Sequence, residues 1–324
     1  MKELIIKEVK ETYIGYFRGS FHSLSEIDFS LLNVKFVDIE SKDYKAFINQ
    51  VSDESGILTE PLKNFKSNSV KQEVLHALIP IDISKPVTEL DLWKVRNVML
   101  LIYPSDFFLE ILVGYRLYDD SIDLFLYDNY RQQKLDPLEP FKNYIFLDKH
   151  LVKNINKFIQ LFFERYDNIK YLFPAFNSYI TSYFQNFSNM EYLSLCISLE
   201  AIVDAHTELT FRIKRNVAVL LSSNEDFGKR IFKNIGLIYT LRSKIAHSGK
   251  YDEAKINEYL PFLRNLVSVL IIELIKLNIV TLAELNELLN SKGYGDIYEQ
   301  DKDFIDFELN HKPVTKVFVT ELTK

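Results

Sequence analysis

Hydrophobic and polar residues follow two different periods along the chain, and the change of period divides it into two parts. In the first part, short runs rich in Ile, Val, Leu, Phe and Tyr, several of them alternating with polar residues, predict β-strands. The predicted strands cover residues 3–9, 34–39, 74–83, 111–118 and 121–127. Asp119 and Asp120 stand between the last two strands and predict a hairpin turn.

One helix is predicted among these strands. Thr88 precedes residues 89–102, where apolar residues recur at helical spacing, and Pro104 follows the segment. We therefore expect residues 1–146 to form a β-rich sheet or sandwich domain with an inserted helix. Nothing in this part has the residue spacing of a catalytic motif.

The second part of the chain, from Asp148 onward, has the period of α-helices. Predicted helices cover residues 150–165, 169–183, 186–205, 208–222, 225–248, 252–277 and 282–289. Because the connections are short, neighbouring helices should be antiparallel, which predicts an up-and-down bundle over residues 147–290. The tail, residues 291–324, ends in an alternating segment that is compatible with a strand returning to the N-terminal sheet. The fold class expected is thus α+β with two domains.

Composition agrees with two folded domains and excludes several classes of protein. The 324 residues are 47% hydrophobic, with nine Gly and nine Pro, which is too few for low-complexity disorder. Cys196 is the single cysteine, so an internal disulfide and a cysteine-rich metal site are excluded. The N-terminus lacks the apolar core of a signal peptide, and Glu273 and Lys276 interrupt the most apolar helix. We expect a cytoplasmic protein without a membrane segment, metal or cofactor.

Positive charge is concentrated in one segment of an acidic chain. The net charge is −6, yet residues 211–250 contain nine Lys or Arg and two acidic residues. Such a segment is the electrostatic pattern expected where phosphates bind, although a solvated helix face can also produce it. The candidate RNA-contacting residues in this segment are Arg212, Arg215, Lys244 and Lys250.

Three polar side chains fall on or beside the apolar faces of three successive predicted helices. At about 100° per residue, Arg242 lies among the apolar residues of the helix over residues 225–248. Glu200 lies inside the apolar stripe of an earlier helix, and Asn216 lies at the edge of another. Because an unpaired buried charge is costly, these residues need partners.

Two interpretations of these polar residues are open. In the first, Glu200 and Arg242 form a structural ion pair, with Asn216 completing the hydrogen bonds. In the second, Arg242 lines a cleft or dimer seam where a phosphate binds, and Glu200 holds the guanidinium in place between reactions.

His247 is the second candidate catalytic residue, in the last turn of the same predicted helix. It lies five residues after Arg242, which places it about 140° away around an ideal helix, so periodicity alone does not join the two. Gly249 suits the left-handed position that follows a helix end, where a tightened turn can redirect His247. The negative end of the helix dipole favours a protonated imidazole there, although many histidines at helix ends are only caps.

Residues 239–249 carry the pattern Tyr-x-x-Arg-Ser-x-x-x-His, in which Tyr239, Arg242, Ser243 and His247 are the defined positions. With the helix that holds Glu200 and the predicted helix over residues 208–222 before it, this segment resembles the Apea-like family of the HEPN superfamily. The resemblance covers residues 147–290, with a β-rich N-terminal domain such as these proteins often carry.

The resemblance implies a metal-independent endoribonuclease, usually a homodimer whose two Arg/His motifs meet across the interface. Arg242 would stabilise charge on the scissile phosphate, and His247 would move protons during attack by the ribose 2′-hydroxyl. Glu200, Asn216, Ser243 and Tyr239 would support these two residues. Such proteins are frequently toxins or effectors of antiviral, abortive-infection systems.

Two other functions remain open from the sequence. Many domains of this kind do no chemistry, so the helices could form a binding or sensing module that acts through dimerisation. A metal-dependent hydrolase using Asp119, Asp120 and Asp123 is a weaker alternative, since adjacent aspartates at a hairpin normally form the turn.

Overall fold

The computed structural model describes residues 10–51, 59–67, 69, 72–117, 122–129, 144–203, 208–248, 251–297 and 322. The chain forms two compact units. The N-terminal unit comprises Met1–Leu100 and Ser105–Asn156, and the helical unit comprises Leu101–Pro104 and Lys157–Lys324. The α+β architecture with two domains, predicted from the sequence, is confirmed. The division falls after Asn156, whereas the sequence analysis placed the boundary between residues 146 and 147.

The N-terminal unit is built on one sheet of six strands in the described part of the chain. The strand order is β2-β3-β4-β1-β5-β6, and every pair of neighbouring strands is antiparallel. The strands are β1 (Lys10–Arg18), β2 (Asp28–Phe29), β3 (Val34–Asp38), β4 (His76–Pro80), β5 (Phe108–Leu117) and β6 (Ile122–Asn129).

Strands β3 to β6 lie where the sequence pattern predicted strands, but β1 and the two-residue strand β2 were not predicted. From Ile14 to Arg18 every residue of β1 is buried, so both faces of this strand are covered. A strand buried on both faces loses the alternation of polar and apolar residues that reveals a half-exposed strand. The predicted strand over residues 3–9 and the predicted turn at Asp119 and Asp120 lie outside the described residues.

The described residues of the N-terminal part of the chain form three α-helices: α1 (Lys42–Val51), α2 (Thr59–Ser67) and α3 (Glu89–Ile102). Only α3 was predicted. Tyr44 and Phe47 of α1 and Phe65 of α2 join the apolar core formed by one face of the sheet. Arg18 ties α2 to the sheet, because its guanidinium donates to the carbonyl of Phe65 at 2.7 Å and pairs with Glu110 at 3.0 Å. These contacts are structural, since they bury the charges within the unit.

The helical unit is a bundle in which two helices form the centre. Helix α6 packs against α5, α7, α8 and α9, and nearly all the apolar residues of α9 are buried. The helices of this part of the chain are α4 (Val152–Arg165), α5 (Leu172–Ser182), α6 (Ser188–Val203), α7 (Leu209–Leu221), α8 (Glu225–Ser248), α9 (Glu253–Leu277) and α10 (Leu282–Ser291). Each overlaps a helix predicted from the sequence. The tail segment predicted as a strand, residues 316–321, lies outside the described residues.

Among the described helices, none is by itself both long and apolar enough to cross a membrane. Helices α9 and α10 reach that length and composition only as a pair, which is bent by 100°.

His76 is a fully buried histidine of β4, and it is neutral. Burial lowers its pKa to about 3, against the opposing effect of a hydrogen bond with the backbone of His22. A carboxylate oxygen of Asp38 lies 3.4 Å from Nε2 and would favour a protonated ring. However, Nε2 accepts the backbone N–H of Leu24 at 3.1 Å, so this nitrogen carries no proton and burial dominates.

We predict that His76 makes the N-terminal unit sensitive to acid. The imidazole has a pKa near 6.5 in the unfolded chain and about 3 in the folded chain. Between these two values the unfolded chain binds a proton that the folded chain does not, so lowering the pH favours unfolding. Between pH 7 and pH 5 the wild type should lose about 2 kcal/mol more stability than His76→Gln, which keeps an acceptor for Leu24. Urea unfolding followed by Trp93, the single tryptophan, measures this difference. The exposed-site variant His150→Gln should behave as wild type, and parallel pH profiles for wild type and His76→Gln would contradict the prediction.

Candidate functional site

The candidate site lies where α8 packs against α6. The isoleucines of α8 that form its predicted apolar stripe are buried: Ile231, Ile235, Ile238 and Ile245. Two tyrosines join the helices across this interface, since Tyr192 donates to the carbonyl of Ile238 at 2.9 Å and Tyr239 donates to that of Cys196 at 3.4 Å. These bonds fix the rotation of α8, and they direct Arg242, less than one turn after Tyr239, towards the end of α6.

Arg242 and Glu200 form an ion pair at this end of the interface. The Nη2 atom of Arg242 lies 3.2 Å from Oε1 of Glu200 and donates a hydrogen bond to Oε2 at 3.4 Å. The side chains are 28% and 21% exposed. The guanidinium is therefore neither sealed in the core nor free in bulk water, and an anion approaching from solvent can reach it.

Two neighbours of the pair, Tyr239 and Cys196, are uncharged at neutral pH. Burial raises the pKa of Tyr239 well above its usual value, with the negative charge of Glu200 adding to the shift and Arg242 opposing it. Burial likewise raises the pKa of the Cys196 thiol, and Glu200 again adds to the effect. Because a protonated thiol is a poor nucleophile, Cys196 is a packing residue and not a candidate catalyst.

A second ion pair of the helical unit was missed by the sequence analysis. Arg264 of α9 pairs with Glu191 of α6, and its guanidinium carbon lies over the ring of Tyr183, 5.2 Å from the ring centroid. Glu191 is buried, so this pair is more enclosed than Arg242 and Glu200. The signal was available, since Arg264 stands between the apolar residues Leu263 and Leu266 of the helix predicted over residues 252–277. Its enclosure indicates a structural role.

His247 lies in the last turn of α8 and is exposed, as are Ser243 and Lys244. His247 lies five positions after Arg242. On a regular helix the two residues are therefore about 140° apart and displaced by about 7.5 Å along the axis. Within one chain, the imidazole and the guanidinium therefore face different directions. Gly249 and Lys250 lie outside the described residues.

The predicted site residues of α7 have different surroundings. Arg215 donates to the carbonyls of Leu289 at 2.8 Å and Lys292 at 3.2 Å, at the C-terminal end of α10. The guanidinium thus satisfies carbonyls that the helix end leaves without helical partners. Asn216 accepts a hydrogen bond from Arg215 at 3.5 Å, and no hydrogen bond within the described part of the chain joins Asn216 to Glu200 or Arg242. Arg212 is exposed.

No group of three or more His, Cys, Asp or Glu side chains that could hold a metal ion occurs among the described residues. Of the aspartates considered for a metal-dependent hydrolase, Asp119 and Asp120 lie outside the described residues. Asp123 lies on β6, opposite Arg116 of β5.

We predict that the Arg242 and Glu200 charges are energetically coupled. In a double-mutant cycle with Arg242→Met and Glu200→Gln, chemical denaturation should give a coupling energy of about 1 kcal/mol, because the pair is only partly solvated. The coupling should decrease in 1 M salt, since screening acts on the solvent-facing side. The exposed pair Glu225 and Lys229 of α8 is the matched control and should show weaker coupling. Equal coupling in both pairs would mean that Glu200 does not hold the guanidinium.

Comparisons of the chain with models of protein families, with curated proteins and with solved structures find no match. The resemblance carried by residues 239–249 therefore stays a prediction, and the function is argued from the geometry of α6, α7 and α8.

Proposed function

We propose that the helical unit is a metal-independent endoribonuclease of the HEPN kind, in which Arg242 and His247 act on the RNA phosphodiester. The observation that carries this proposal is the half-buried Arg242, held by Glu200 and still accessible to an anion from solvent. An arginine in this position suits a phosphate, because its guanidinium can offer two parallel N–H donors to phosphate oxygens. The exposed His247 supplies an imidazole that can accept and donate a proton.

The proposed reaction is a transfer within the RNA strand. The neutral imidazole of His247 takes the proton of the ribose 2′-hydroxyl, and the 2′-oxygen forms a bond to phosphorus. The bond from phosphorus to the 5′-oxygen breaks, and the leaving oxygen takes up a proton from an imidazolium or from water. Arg242 stabilises the negative charge that builds on the nonbridging oxygens. The products are a 2′,3′-cyclic phosphate and a 5′-hydroxyl.

The proposal includes a homodimer, because Arg242 and His247 of one chain face different directions. An exposed apolar row on α6 supports such a dimer. Phe187, which directly precedes α6, lies within about 80° of Met190 and Ile197 of α6 around the helix axis, and Phe187 and Ile197 are 70% and 50% exposed. Glu200 follows Ile197 by less than one helical turn. A second copy of the chain that packs on this row would therefore bring its own side chains near Arg242 and Glu200. A row of this kind can pair with itself about a two-fold axis.

The biological role we propose rests on the family resemblance alone. It is that of a cytoplasmic toxin or effector of an antiviral, abortive-infection system, where uncontrolled RNA cleavage stops growth of the host. The N-terminal sheet unit would then respond to the trigger.

A non-catalytic module that acts through dimerisation is the second candidate. The observation that favours it is that Glu200 already satisfies the charge of Arg242, so the pair needs no phosphate to persist. The apolar row on α6 would then be the functional surface. Cleavage assays separate the two candidates.

We predict that His247→Ala abolishes cleavage of RNA in the presence of a metal chelator. The rate should fall by at least about 100-fold, the usual contribution of a general acid or base, while the circular dichroism spectrum stays unchanged because His247 is exposed. His150→Ala, at another exposed histidine, should cleave as wild type does. Product ends, analysed by mass spectrometry, should carry 2′,3′-cyclic phosphates. Full activity of His247→Ala would exclude the proposed mechanism, and inactive wild type would favour the binding module.

We predict that the apolar row on α6 holds the dimer together. Ile197→Glu places a charge at the end of the row nearest Glu200, and it should convert the dimer to a folded monomer, as measured by light scattering after size exclusion. Leu90→Glu, at an exposed leucine in the first turn of α3, is the matched control and should leave the dimer intact. A wild-type monomer, or a dimer that survives Ile197→Glu, would remove α6 from the proposal.

A further inference from the structure

Helices α7 and α8 present a cluster of aromatic and basic side chains that the sequence analysis did not identify. The rings of Phe211 and Phe232 pack edge to face, with centroids 6.1 Å apart and planes at 80°. The ammonium nitrogen of Lys214 lies 4.0 Å from the centroid of the Phe232 ring. Phe211 remains 54% exposed, which leaves much of its ring available to a ligand. We call these three residues the platform.

The position of Lys214 is fixed by two neighbours, and this makes the platform a preorganised site. The cation–π contact with Phe232 holds the ammonium on one side. On the other side is Gly236, where a Cβ atom would lie 3.3 Å from Nζ and 3.4 Å from Cε of Lys214. Glycine within a helix costs roughly 1 kcal/mol relative to alanine. The missing side chain at this position gives the lysine room to cross α8.

The charges around the platform select an anionic ligand. Arg212 on α7 and Lys233 on α8 are exposed basic residues next to the platform in sequence. Lys229 is neutralised by Glu225 at 2.6 Å, so it adds little to the local field. The residues of α7 and α8 carry a positive excess within a chain of net charge −6. An exposed aromatic ring beside fixed positive charges is the combination that binds unpaired bases and their phosphates.

The platform shares a face of α8 with the proposed catalytic imidazole. At 100° per residue, Phe232, Gly236, Ser243 and His247 fall within about 60° of one another. From Phe232 to His247 the helix rises by roughly 22 Å. At the stacked spacing of about 3.4 Å per nucleotide, this length corresponds to roughly six nucleotides. A strand that binds the platform can thus follow one surface of α8 to His247.

We propose that the platform of Phe211, Phe232 and Lys214 binds single-stranded RNA several nucleotides away from the bond that is cut. A base stacks on Phe211, and Lys214 contacts a phosphate. The identification of the strand as RNA rests on the proposed function; stacking and phosphate contacts by themselves also accept single-stranded DNA. A duplex is excluded from stacking on Phe211, because its base faces are already covered by neighbouring base pairs.

Binding of a fluorescent 12-nucleotide RNA tests the platform, measured in the His247→Ala background so that no cleavage occurs. Phe211→Ala should weaken binding roughly 10- to 100-fold, the usual effect of removing one stacking side chain. Lys214→Gln should weaken binding and lower the slope of log affinity against log salt by about 0.7, the value for one phosphate contact with a single strand. A DNA strand of the same sequence should bind similarly, and an RNA duplex should bind more weakly.

Matched controls separate the platform from general effects of surface mutation. Phe146→Ala removes a ring of nearly equal exposure in the N-terminal unit, and Lys153→Gln removes an exposed lysine on α4. Both should bind RNA as the parent does. Binding of Phe211→Ala at parental affinity, or absence of RNA binding by the parent, would overturn the platform, and the exposed ring would then serve a protein partner.

Cleavage by the chain with an intact His247 distinguishes failure of the platform from failure of the proposed function. With a 12-nucleotide substrate, Phe211→Ala should lower kcat/KM by the factor that it lowers affinity. With a dinucleotide, which is too short to reach the platform from His247, Phe211→Ala should have no effect. Cleavage of the long substrate that is insensitive to Phe211→Ala would overturn the platform alone. Platform-dependent binding without any cleavage would overturn the nuclease alone.

Discussion

The packing of α8 against α6 is the constraint on which the candidate site depends. Four buried isoleucines of α8 provide the apolar contact, but apolar contact alone would tolerate small rotations and shifts. The hydrogen bonds of Tyr192 and Tyr239 remove that freedom, because each ties a side chain of one helix to a particular backbone carbonyl of the other. Once α8 is fixed in this way, Arg242 must face Glu200, and His247 must face solvent on another side of the helix.

The degree of burial decides what each arginine of this bundle can do. Arg264 and Glu191 are enclosed, so separating their charges would be costly, which indicates a structural pair. Arg242 and Glu200 remain about a quarter exposed, so water can replace either partner at modest cost. An incoming phosphate can therefore share the guanidinium with Glu200. Helix α6 supplies the carboxylate of both pairs. Glu191 lies near the first turn of α6, and Glu200 lies near its last turn.

The sequence pattern located most helices and the Arg242 pair, because both depend on periodicity along single helices. Strand β1 escaped prediction because burial on both faces removes its alternation, and α1 and α2, with ten and nine residues, are short for a helical period to be recognised. The partners of Arg215 were also hidden, since they are backbone carbonyls more than seventy residues away and have no side-chain signature. For the same reason the platform was invisible: Phe211, Lys214 and Phe232 form a site only once α7 lies beside α8.

The acidic net charge of the chain and the proposed phosphate-binding surface on α7 and α8 are compatible because electrostatic interactions are local in salt. At physiological ionic strength, exposed charges separated by more than about 8 Å are largely screened from one another. A phosphate next to Lys214 therefore responds to its immediate neighbours and not to the total of −6. Counting charges in the segment overstates what is available, however, because Arg215 is engaged by α10 and Lys229 by Glu225. With fewer free cations than the sequence suggests, stacking on Phe211 has to supply a substantial part of the affinity, which makes the aromatic ring as important to this surface as its charge.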